Sequence, residues 1–111
     1  EAEVIDAKGG LVVPGFIDLS ARPGSISTRS LASWGRSAAS GGYTSITVLP
    51  DTKPPLTDEL RLSGLMALAQ ANCPMHLYPV GALSRNLEGN ELADMGSLVE
   101  AGAYALSDGS Q

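Results

Sequence analysis

The sequence is poor in the side chains that most often bind metals or act as nucleophiles. Its 111 residues include one histidine, His76, one cysteine, Cys73, and two lysines, Lys8 and Lys53. A single cysteine excludes an internal disulfide. Its place in the turn Asn72-Cys73-Pro74 favours a buried or half-buried thiol in a reducing compartment over a reactive one. Basic residues are also few, seven against 12 acids, for a net charge of −5. Nucleic acid and anionic membrane surfaces both demand clustered Lys and Arg, so neither is expected as a partner. No apolar run approaches the ~20 residues of a membrane helix. The acidic start, Glu1 to Asp6, lacks the basic and apolar regions of a secretory signal. A cytoplasmic protein is the expectation.

What the chain does have is a regular alternation of strand and helix. Phe16 to Leu19 reads as a short strand launched from the Pro14-Gly15 turn. Leu31, Trp34 and Ala38 recur at helical spacing and stop at Gly41-Gly42. Tyr43 to Leu49 is rich in β-branched residues and ends at Pro50. Thr57 is placed to cap a second helix, with Asp58 and Glu59 in its first turn. Leu62, Leu65, Met66 and Ala69 form the apolar stripe of that helix. His76 to Val80 makes a third strand. A third helix is expected from about Glu91 to Ala101, with Leu92, Met95 and Val99 as its stripe. Ala103 to Leu106 is a fourth strand. The four strands begin near residues 16, 43, 76 and 103, the pace of βα units in a parallel sheet.

The segment before Phe16 has another character. Val4 to Val13 reads as two short strands about a Lys8-Gly9-Gly10 turn, a hairpin belonging to a small β-rich appendage. Residues 1–13 are therefore expected to end that appendage, and residues 14–111 to begin a (β/α) unit array. About three and a half βα units cannot close a parallel sheet, and a (β/α)8 barrel needs roughly 200 residues or more. The expectation is an α/β fold, the N-terminal part of a TIM-type barrel cut from a longer chain.

Ligands of such folds gather at the carboxyl ends of the strands. Those ends are Asp18 to Arg22, Pro50 to Lys53, Val80 to Arg85 and Ser107 to Gln111. The motifs there are recognisable. Val13-Pro14-Gly15-Phe16-Ile17-Asp18 resembles the V-x-P-G-x-I-D strand that opens cyclic amidohydrolase barrels. Gly41-Gly42-Tyr43-Thr44 and Leu49-Pro50-Asp51-Thr52-Lys53-Pro54 resemble the G-G-x-T and M-P-N-T-x-P segments of dihydroorotases. Gly81-Ala82-Leu83-Ser84, Gly89 to Met95 and Glu100-Ala101-Gly102-Ala103 are similar to the family's G-A-x-T, G-x-E-L-x-D-M and E-A-G-A series. Leu106-Ser107-Asp108-Gly109 is similar to F-S-D-D-G. Each motif is weak alone, but together and in order they cover nearly the whole chain.

The resemblance implies hydrolysis of a cyclic amide at one or two zinc ions, which polarise the carbonyl and supply hydroxide near neutral pH. The family's first zinc ligands are the two histidines of D-x-H-x-H-L-R-E-P-G. This chain reads Asp18-Leu19-Ser20-Ala21-Arg22-Pro23-Gly24. Ser20 stands where the first histidine belongs, and the segment is three residues short, either deleted or missing from the chain as read. A serine hydroxyl is a poor substitute for imidazole on zinc. His76, at the start of its strand, falls at the opposite end of the barrel.

Arg22 matches the family's substrate-binding arginine and could act as a carboxylate clamp or be an ordinary loop residue. Asp51 replaces the asparagine that helps hold the substrate carboxylate, and would meet a like charge at a cost of roughly 1 to 4 kcal/mol. Asp108 matches a metal-proximal aspartate and is the one weak catalytic candidate, although turn formation also accounts for it. No metal ligand is assigned. Taken together, these departures make the chain resemble the non-catalytic pseudo-dihydroorotase branch. That resemblance implies no zinc cofactor and a structural role in pyrimidine biosynthesis, holding aspartate transcarbamoylase subunits together, with room for self-association. The alternative is an active zinc-dependent dihydroorotase with an atypical metal loop.

Overall fold

The computed structural model describes residues 1–109; Ser110 and Gln111, the tail of the fourth strand-end segment, lie outside the described residues. The elements follow in strict alternation: β1 Phe16–Ala21, α1 Thr28–Ser40, β2 Tyr43–Val48, α2 Glu59–Asn72, β3 His76–Gly81, a 3-10 turn Arg85–Leu87, α3 Met95–Glu100 and β4 Ala105–Leu106. All three neighbouring pairs are parallel, in the order β1-β2-β3-β4. The sheet curls into a half-barrel, as expected of part of a TIM-type barrel. Each pair is joined by a helical crossover, the connection that parallel neighbouring strands require.

Alternation along the strands sorts side chains between the helices and the other face. Ile46 pairs with Leu77 and Val48 with Pro79 in the β2–β3 register. All four are buried, and Ile46, Val48 and Leu77 pack with Leu31 of α1 and Leu65 and Ala69 of α2. A second cluster joins Leu62 of α2 to Ala93 and Leu98, with Leu106 of β4 against it. Fully burying a Leu or Ile side chain contributes about 1.5–3 kcal/mol, so the sheet–helix layer is what holds the half-barrel together. Cys73 is half-buried at the edge of the first cluster, as its turn position suggested.

Helix starts follow hydrogen-bond chemistry that apolar spacing does not report. At α1 the Ser27 hydroxyl accepts from the Ser30 N–H at 3.1 Å, while the Ser30 hydroxyl accepts from the Ser27 N–H at 2.9 Å. That is a reciprocal cap, with serine where glutamate usually stands. At α2 the cap is Asp58, one residue later than the expected Thr57: its carboxylate accepts from the Arg61 N–H at 3.0 Å. A carboxylate satisfies that donor and the positive helix end together, which a hydroxyl does not. Thr57 instead receives the Arg61 guanidinium at 2.9 Å.

Two expectations need correction. The third helix is shorter than Glu91 to Ala101, because residues 91–93 spend their backbone bonds elsewhere. Arg85 N–H donates to Glu91 O at 2.8 Å and Ala93 N–H to Leu83 O at 2.9 Å. The helix then starts at Met95 under an Asp94 cap, and its buried residue is Leu98, while Leu92 and Val99 are 63% and 57% exposed. The N-terminal hairpin is present only as its turn. Gly10 N–H donates to Ala7 O at 2.8 Å, with Lys8 and Gly9 at positive φ of 49° and 81°. This is the mirror-image turn that suits hairpins. Its arms carry no strand pairing among the described residues, and Val4, Ile5, Leu11 and Val12 are exposed. An isolated two-stranded hairpin is marginal in water without a surface to pack on.

Candidate functional site

The rim formed by the carboxyl ends of the strands is where the sequence placed every candidate. β1 ends in Ser20 and Ala21, and the chain turns back at once. Gly24, at φ +72°, accepts from Lys53 N–H through its carbonyl at 2.7 Å, and Ile26 N–H donates to Lys53 O at 3.1 Å. The short loop after β1 is thus stitched directly to the loop after β2, with Ser25 and Lys53 in a parallel bridge. Nothing longer intervenes between Ala21 and this seam. Ser20 is exposed, and its N–H donates to the Asp18 carboxylate at 2.9 Å.

The seam brings Arg22 against Asp51. Arg22 Nε lies 2.8 Å from Asp51 Oδ2, with the two side chains 44% and 30% exposed. The other oxygen, Asp51 Oδ1, is buried and has no hydrogen-bond partner among the described residues. Gly109, after β4, lies beside Asp51: a Cβ there would sit 3.6 Å from Asp51 Cγ, an ordinary contact. Three strand ends therefore meet around one charge-neutralised pair, whose members the sequence offers only as two separate weak candidates.

Asp108 lies on the same rim but is differently employed. Its Oδ1 accepts the N–H groups of Leu83 at 2.9 Å and Ser84 at 2.7 Å, and its Oδ2 accepts the Ser84 hydroxyl at 2.6 Å. Ser84 Oγ in turn accepts Gly89 N–H at 2.8 Å. The Ser84 bonds, side chain first and backbone next, hold the Asp108 carboxyl below its ordinary range; Leu83 N–H adds to this and partial burial opposes it. Asp108 thus ties the end of β4 to the loop after β3. Sequence reasoning did not single out Ser84, whose meeting with Asp108 depends on the pairing of β3 and β4.

His76 is exposed at the first residue of β3. At about 3.3 Å per residue the strand carries it roughly 16 Å from the rim. Among the described residues no three His, Cys, Asp or Glu side chains form a group able to hold a metal ion. A zinc ion takes imidazole, thiolate or carboxylate ligands. At this rim the first strand end offers the Ser20 hydroxyl and the Asp18 carboxylate, which accepts Ser20 N–H, with the Arg22 guanidinium just beyond, while Asp51 is engaged by Arg22 and Asp108 by Leu83 and Ser84. These residues do not fit a zinc site.

A family profile described as dihydro-orotase-like matches residues 9–111. The chain belongs to the dihydroorotase-like family. Among its relatives, a protein named dihydroorotase from Solibacter usitatus is 39% identical over 111 residues, covering 97% of this chain and 26% of its own. One of the same name from Pelotomaculum thermopropionicum is 41% identical over 110 residues, covering 96% and 26%. Another from Caldanaerobacter subterraneus is 36% identical over 111 residues, covering 97% and 26%. The chain spans about a quarter of the length of these curated relatives. No described helix is long and apolar enough to cross a membrane.

Proposed function

We propose that this chain is the first part of a non-catalytic dihydroorotase-like protein of pyrimidine biosynthesis, cytoplasmic, and a structural partner of aspartate transcarbamoylase. The observation that carries the reading is the composition of the first strand's mouth. Ser20 offers only a hydroxyl there, and the loop beyond it folds straight onto Lys53 instead of extending into the barrel. Arg22, the family's clamp for a substrate carboxylate, is engaged by the chain's own Asp51. A metal-dependent hydrolase needs a polarising ion and an anchor for its substrate, and we find neither in the residues of this half-barrel. Helices α1 to α3 keep a packed layer against the sheet, so the rigid outer surface that a scaffold requires is retained.

Full-length protein purified without chelator tests the reading. The expected result is no stoichiometric zinc, no conversion between dihydroorotate and carbamoyl aspartate, and co-elution with aspartate transcarbamoylase when the two are mixed. A zinc-loaded protein that turns over dihydroorotate overturns the non-catalytic part. A solitary monomer at micromolar concentration overturns the scaffold part.

A further inference from the structure

We draw no further inference here: the strongest candidate, the largely apolar groove at the amino ends of β2 and β3 lined by Tyr43, Met66, Cys73, Met75 and Tyr78, is an open face with nothing in the structure to show what covers it.

Discussion

Two aspartates stand on the same rim and make opposite use of it. Asp108 receives three hydrogen bonds, two from backbone N–H groups and one from a hydroxyl, and both of its oxygens are satisfied. Asp51 has its contact with Arg22 on one oxygen, and its other oxygen is buried without a hydrogen-bond partner among the described residues. The first arrangement locks one loop to the next strand and stabilises the fold. The second joins two strand-end loops through one oxygen alone. A carboxylate whose oxygens both find donors is the firmer fastening, because a buried acceptor without a donor costs free energy.

The contrast can be broken by removing each side chain in the full-length protein. Asp108→Ala should cost about 2–4 kcal/mol, because Leu83 and Ser84 N–H groups lose a charged acceptor together. Chemical denaturation reads this, and a loss under about 0.5 kcal/mol contradicts the role. Ser84→Ala should cost less, about 1–2 kcal/mol, since it removes one donor to Asp108 and the acceptor of Gly89 N–H. The acid limb of stability should also carry the mark of Asp108. Its folded carboxyl titrates below its unfolded value, so its contribution is complete above the ordinary carboxylate range and is lost as pH falls through the lowered folded value. Asp108→Asn should flatten that part of a stability-against-pH curve; an unchanged curve contradicts the assignment. Asp51→Asn should have the smallest effect, within about 1 kcal/mol, because the pair is substantially exposed. A large loss there would make the Arg22 contact a structural fastening too.

Much of the fold was legible because strands and helices announce themselves by period and by glycine stops. Leu31 and Leu65 are buried as their spacing required, and Gly41-Gly42 ends α1. The third helix was misread because Leu92, Met95 and Val99 share a spacing but not a buried face. The stretch before Met95 is drawn into hydrogen bonds with residues 83–85, which no periodicity encodes. At the rim, the missing imidazole at Ser20 was visible in the sequence. The Arg22–Asp51 pair was not, since it joins residues 29 apart through the register of two strands. The same holds for Ser84 and Asp108, 24 apart across β3 and β4.

The most direct measurement is the zinc content of full-length protein purified in metal-replete buffer, taken alongside dihydroorotate turnover on the same sample. The account predicts far less than one zinc per chain and no turnover. One tightly held zinc per chain with turnover that disappears on its removal would contradict it.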